Sequence, residues 1–306
     1  MSGRTAVVCA YSSVGTAALE GLLEAGVEVK ALYTYAQGVD ERWFTPPAAV
    51  AEARGIPVHM APSFNTDEVF AAIRAHQPDF LFSFYFREMI QARFLELPRL
   101  GAYNLHGSLL PKYRGRAPLN WVLVKGETAT GVTLHAMTPK PDDGHIVAQA
   151  GLSIDWDETA LSLTLKAAEA GRGLVREAAP GLADGSIPRL DQKTLGPSSY
   201  FGGRKPADSR LDFTMTAREA FNQIRAVADP WPNAFLETTD GTVKVAWALP
   251  TELPCPTGCF RASREGVLLG FTDGALRIHT LKADGARLER PSEQAMALRL
   301  LGVPER

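Results

Sequence analysis

Apolar and polar positions alternate in blocks along the first hundred residues. Thr5–Ala10 is a continuous apolar run of strand length. In 15–25, Ala17, Leu19, Leu22 and Leu23 recur at helical spacing before Gly26. Residues 27–33 predict the next strand, 46–54 a helix, and 55–58 a short edge strand limited by Pro57. Asp67–His76 predicts a helix capped at Asn65 or Thr66, with Pro78 and Asp79 ending it. Residues 80–85 form a further apolar strand, and 102–106 another after a helix around 90–97. Unbroken apolar strands separated by helices predict an α/β fold whose mostly parallel sheet is covered on both faces. In such sheets ligands sit beyond the carboxyl ends of the strands.

The second half has a different rhythm. Residues 158–183 predict a long amphipathic helix carrying Leu161, Leu165, Ala168, Leu174 and Val175. Residues 185–210 are rich in Gly, Pro, Ser and charge, and read as a surface linker. A helix over 217–227 is closed by Asp229-Pro230-Trp231-Pro232. Strands follow at 235–238, 243–248, 267–271 and 276–281, with Asp240-Gly241 and Asp273-Gly274 turns between them. Short strands at this spacing predict a small β-barrel or sandwich. A length of 306 residues fits two such domains.

Composition narrows the function classes. The balance of 32 basic against 34 acidic residues leaves no broad electrostatic footprint for nucleic acid. Three cysteines, Cys9, Cys255 and Cys259, make no disulfide framework and fit a reducing compartment. The first apolar run is too short for a signal-peptide core, and no apolar stretch is long enough to span a bilayer. A cytoplasmic protein without membrane insertion is expected.

Chemistry concentrates in the segment from Asn104 to Pro118. Asn104 and His106 are two apart on one strand, so their side chains leave the same face. An amide that can stabilise an oxygen then lies beside an imidazole that can move a proton near neutral pH. Spacing alone leaves open a plain strand-end histidine. Asp142-Asp143-Gly144 reads either as a turn or as the source of a carboxylate that supports His106. Lys112, Arg114 and Arg116 form a solvated loop face or an anion-binding one. No Gly-x-Gly-x-x-Gly follows the first strand, which argues against a dinucleotide site. Cys255 and Cys259 lack the second pair that a zinc site needs, so no metal is expected.

Together these residues resemble a known family. Asn104-Leu-His-Gly-Ser-Leu-Leu-Pro111, Arg114-Gly115 and the Asp142 turn are similar to the signature of 10-formyltetrahydrofolate-dependent formyltransferases. Residues 82–85, 113–124, 126–128, 131–135, 200–202 and 225–232 extend the likeness over essentially the whole chain. Within the family it most resembles the amino-terminal formyltransferase domain of the bifunctional enzyme acting on UDP-4-amino-4-deoxy-L-arabinose, which modifies lipid A of lipopolysaccharide and continues into a UDP-glucuronate decarboxylase domain. The resemblance implies a Rossmann-like formyltransferase domain over 1–203 and an OB-like β-barrel domain over 204–306. It implies formyl transfer from 10-formyltetrahydrofolate, as co-substrate, to the amine of a nucleotide-linked amino sugar. Asn104 would donate to the developing oxyanion, His106 would shuttle the proton, and Asp142 would position His106 and favour its charged state. Glu88, Met89, Ile90, Arg116, Thr138, Pro139, Lys140, Pro141 and Asp142 would hold the folate.

The rival within the family is methionyl-tRNA formyltransferase. A tRNA partner calls for a basic carboxyl-terminal domain, whereas residues 204–306 carry 14 Lys/Arg against 13 Asp/Glu. No nucleic-acid partner is expected, and the chain is expected to act as a monomer or homodimer.

Overall fold

The computed structural model describes residues 3–38, 41–60, 62–238 and 240–306. They divide into two compact units, one drawn from residues up to 118, 129–154 and 163–202, the other from 119–128, 155–162 and 203–306.

The first unit is built on a seven-stranded sheet. Its strands are β1 (Thr5–Ala10), β2 (Glu28–Tyr33), β3 (Val58–His59), β4 (Phe80–Phe84) and β5 (Gly101–His106). A two-residue β6 (Arg114–Gly115) stands apart, and β7 (Ala129–Ala136) and β8 (Ile146–Ser153) complete the sheet, in the order β3-β2-β1-β4-β5-β7-β8. Strands β3 to β5 in this order are parallel. The chain then reverses, so β7 and β8 run antiparallel. The α/β reading with a mostly parallel sheet holds, and β3 is the expected edge.

Two-residue alternation sorts the side chains onto opposite faces. Val7, Cys9, Ala31, Tyr33, Leu81 and Ala102 pack on one face against Val69 and Ile73 of α3 (Asp67–His76) and Phe94 of α4 (Ala92–Leu95). Thr66 caps α3, its side chain accepting from Val69 N, as the sequence suggested. Of the remaining helices, α1 (Ser12–Glu24) begins three residues earlier than its apolar period implies, and α2 is Pro47–Glu52; α5 (Pro118–Val124) belongs almost wholly to the second unit. The long α6 (Ala160–Asp184) lies against α1: a Cβ at Gly21 would collide with the Arg172 backbone, and Arg172 pairs with Glu24. Gly171 of α6 sits over Leu105 of β5. Leu105 therefore faces α6, and its neighbours Asn104 and His106 face the other way.

The second unit is antiparallel. Its helix α7 (Ala217–Ala226) opens on a capping box in which Thr216 and Glu219 satisfy each other's backbone. Six strands follow: β10 (Ala234–Thr238), β11 (Gly241–Thr251), β12 (Phe260–Ser263), β13 (Gly266–Gly270), β14 (Ala275–Ala283) and β15 (Ala286–Leu288). They pair as β10-β11-β14-β13-β12 with β15 on β14. Their core gathers Phe221, Ile224, Phe260, Leu269, Ile278 and Leu298, the last from α8 (Pro291–Leu300). The short strand β9 (Tyr200–Phe201) belongs to the first unit, where it pairs with β6.

Candidate active site

Strand β5 ends with Asn104 and His106 on one face, and the antiparallel neighbour β7 sets what lies opposite them. Asn104 pairs with His135 and His106 with Thr133. Directly opposed residues of an antiparallel pair share a face, so Asn104 Nδ2 reaches His135 Nε2 at 3.1 Å. Thr133, fully buried, donates to the Ser108 carbonyl at 2.6 Å and accepts from Leu110 N at 3.1 Å, which pins the loop leaving β5.

Asp142 arrives from the loop between β7 and β8. Its Oδ1 stands 3.5 Å from His106 Nδ1 and 3.5 Å from His135 Nε2. Its Oδ2 accepts the Gly115 backbone N–H at 2.8 Å. Asn104, His135, Asp142 and His106 thus form one continuous polar chain. Gly115 has φ +101, and a Cβ there would run into the Phe201 carbonyl, so only glycine brings this N–H to the carboxylate.

Partners fix the proton positions. A carbonyl can only accept, so the 2.8 Å contact of His106 Nε2 with the Tyr113 carbonyl places hydrogen on Nε2. His135 Nδ1 likewise donates to the Ala136 carbonyl at 2.9 Å, leaving Nε2 to accept from Asn104. In neutral His106 the bare nitrogen is therefore Nδ1, which faces Asp142. Burial pulls the His106 pKa below its ordinary 6.5; the Asp142 charge and the Tyr113 carbonyl push the other way without reversing it. His106 is neutral at pH 7 and free to take a proton. For Asp142, burial acts to raise the pKa, but its contacts with His135 and His106 and the Gly115 N–H together bring it to about 2. The carboxylate is ionised and waits beside the nitrogen that would become charged.

The other sequence-predicted positions are scattered in role. The Glu88 carboxylate accepts from Phe64 N at 2.8 Å and from Ser63 Oγ and Asn65 Nδ2 at 2.7 Å each, so it braces a loop. Met89 is exposed, its carbonyl accepting from Asn65 Nδ2, while Ile90 is buried in the core. Arg116 is exposed, with its backbone N–H on the Phe201 carbonyl. In the 138–142 loop, Thr138 Oγ1 donates to the Lys140 carbonyl and the Lys140 ammonium meets Asp143 at 3.2 Å. Pro139 and Lys140 are exposed and Pro141 is half-buried. Among the described residues no cluster of three or more His, Cys, Asp or Glu could hold a metal ion, and no helix is long and apolar enough to cross a membrane.

Sequence reasoning missed three participants: His135, the Gly115 N–H and Gln192. His135 sits in a run, 129–136, whose apolar and small residues spell a strand, but only the strand register reveals that it opposes Asn104. Gln192 lies in the segment read as a surface linker, yet it is 1% exposed. The segment does run over the surface, most of its residues being exposed, but Gln192 turns inward and β9 fastens the segment to the loops at the end of β5: Ser199 Oγ accepts from Tyr113 N, and the Phe201 ring stacks on Tyr113 at 5.0 Å.

Comparison with solved structures finds the same fold in several proteins. An N-formyltransferase from Helicobacter canadensis, solved in complex with folinic acid and dTDP-3-aminofucose, shares 20% identity at a TM-score of 0.69, with 90% of this chain and 98% of that one covered. A sugar N-formyltransferase from a Shewanella species shares 18% at 0.63, covering 83% and 100%. HypX from Aquifex aeolicus shares 19% at 0.67 over 100% of this chain, which spans only 49% of HypX. At this identity the likeness establishes the fold. The sequence pattern of the formyl transferase domain matches residues 12–178, and that of the formyl transferase carboxyl-terminal domain matches 204–297. With more than half of its length matched by the first pattern alone, the chain belongs to the formyl transferase family of enzymes.

Proposed function

We propose that this enzyme transfers the formyl group of 10-formyltetrahydrofolate to the amine of a nucleotide-linked amino sugar, with UDP-4-amino-4-deoxy-L-arabinose as the first substrate to try. The observation that carries the reading is the polar chain Asn104–His135–Asp142–His106 at the end of β5. The ligands bound to the Helicobacter protein, folinic acid and dTDP-3-aminofucose, support both substrate classes. HypX has also been solved with tetrahydrofolic acid.

The folate donor supplies the formyl carbon, which the sugar amine attacks. Asn104 uses one amide hydrogen on His135 and keeps the other for the negative charge that develops on the formyl oxygen. His106 takes the proton released by the amine at Nδ1, the nitrogen that bears no hydrogen, and then yields it to the departing nitrogen. Asp142 stabilises the imidazolium between those two events, while the Gly115 N–H keeps its carboxylate in place. His135 holds the Asn104 amide plane. The residues around the site suit a folate: the exposed Met89, Pro139 and Lys140 offer backbone and apolar contact, and the Arg116 guanidinium offers a charge partner for a glutamate carboxylate. A division of the chain at 203/204, with this chemistry on the amino-terminal side, is part of the proposal.

The decisive experiment incubates the protein with 10-formyltetrahydrofolate and a panel of UDP- and dTDP-linked amino sugars, alongside methionyl initiator tRNA, and reads formylated product by mass spectrometry. Product on an amino sugar and none on tRNA is expected. Formylation of the tRNA alone would establish the rival, and formylation of neither would overturn the reading.

A further inference from the structure

Gln192 stands in a tight turn, Gln192–Thr194, that Asp191 caps through the Lys193 N–H. Its amide is saturated. Nε2 donates to the Asp142 carbonyl at 3.0 Å and to the Gly144 carbonyl at 2.6 Å. Oε1 accepts from Arg114 Nε at 3.2 Å and Nη2 at 2.9 Å. A guanidinium can only donate, so Arg114 fixes which end of the amide faces the carbonyls. Arg114 is held in turn by Asp143 at 2.7 Å, and Asp143 by Lys140. The approach of the segment is set by the paired backbone bonds of Leu190 and Ile146, at 2.8 and 2.9 Å.

What this amide holds is a sharp loop. Asp142 has φ +51, a left-handed conformation that aspartate tolerates and that turns the chain here. Two carbonyls of that loop, on Asp142 and Gly144, turn toward a side chain that water does not reach. Left without a donor there, they would draw the loop toward another conformation. The same loop sets the Asp142 carboxylate between His106 and His135.

We propose that Gln192 is a positioning residue for formyl transfer: its amide locks the Asp142 loop in the conformation that aims the carboxylate at His106. The segment 185–202 then belongs to the active-site framework, although no substrate atom touches Gln192. This rests on the function proposed above, in which Asp142 supports proton transfer at His106.

The test is a double-mutant cycle on the full chain, reading single-turnover formyl transfer so that large losses stay measurable. Gln192→Leu is expected to lower the rate about 10- to 100-fold, the penalty of a misplaced catalytic group, with the KM for both substrates within about twofold of wild type. In the Asp142→Asn background the same substitution is expected to cost no more than about twofold, because the carboxylate it positions is gone. A full-rate Gln192→Leu enzyme, or an equal loss in both backgrounds, would overturn the proposal while leaving the function intact. An Asp142→Asn enzyme as fast as wild type would instead remove the role of Asp142, and that of Gln192 with it. Should Gln192→Leu lack a folded thermal transition, Gln192→Glu decides. Its carboxylate keeps Arg114 but repels both carbonyls, so its rate relative to wild type is expected to rise as pH falls and the new acid gains a hydrogen to donate. A ratio independent of pH would refute the positioning role.

Discussion

The two units place their polar groups and their strain differently. In the second unit the core of Phe260, Ile278 and their neighbours is apolar, and most ion pairs, such as Arg290–Glu293 and Arg299–Glu305, lie on the surface, where they contribute little. Its two non-glycine residues with positive φ among those described are Asn233 and Asp284, side chains that tolerate the left-handed region in turns. In the first unit buried polar residues crowd the end of β5: His106, Ser108, Thr133, His135 and Gln192. Positive φ falls there on Tyr85, Tyr113, Ala117 and Asp142, and three of these four gain nothing from it locally. A fold does not need that expense. The second unit has buried polar groups too, Asn222, Arg225, Asn233 and Gln294 among them, but its left-handed residues are turn formers; at the end of β5, buried polar groups stand together with left-handed Tyr and Ala residues that are not.

The contrast breaks if substitutions in the two regions have the same kind of effect. The largest expected effect is that of His106→Ala, a loss of about 10³- to 10⁴-fold in kcat with a thermal transition close to wild type, measured by steady-state kinetics and calorimetry. Phe260→Ala, in the core of the second unit, is expected to do the reverse: about 3–5 kcal/mol of stability lost in denaturant titration, with the rate per folded molecule retained. Asn104→Ala should lower kcat by about 10²- to 10³-fold, the worth of one well-placed oxyanion donor. Ala117→Gly relieves a left-handed residue (φ +52) and should raise stability by about 1 kcal/mol, read from the shift in denaturation midpoint.

A pH profile sharpens the same contrast. The folded-state pKa of His106 lies below 6.5 because burial disfavours its charge. Activity should therefore be level around pH 7 and fall only on the acid side, with an apparent pKa below 6.5. Stability follows the same sign: below about pH 6.5 the unfolded histidine binds a proton that the folded one refuses, so the native state weakens as pH falls. Asp142 adds the familiar carboxylate behaviour, contributing stability above about pH 4 that is lost as pH drops toward its folded value of about 2. An acid limb centred above 6.5 would contradict the buried, neutral His106.

Much of this was legible in the sequence. Apolar runs and helical spacing locate β1, β2, β4 and β5 with α3 and α6, and the two-residue spacing of Asn104 and His106 places them on one face. The missed parts share a physical cause. The reversal at β7 depends on which strand pairs with β5, and periodicity within a segment carries no information about its partner. Gln192 sits among Gly, Pro, Ser and charged residues, where local pattern signals a solvated loop; its burial comes from contacts with Arg114, Asp142 and Gly144, some 50 residues or more away in sequence. The helix α1 starts early because Ser12 and Ser13 hide its first turn from a hydrophobic period.

The central claim is that Asp142 and His106 act as one proton-transfer unit. It is tested most directly by single-turnover formylation of an amino-sugar nucleotide with wild type, His106→Ala, Asp142→Ala and the double variant. If the two residues act together, the double variant will be about as slow as the slower single one. Losses that multiply, or a wild-type rate in either single variant, would contradict the account.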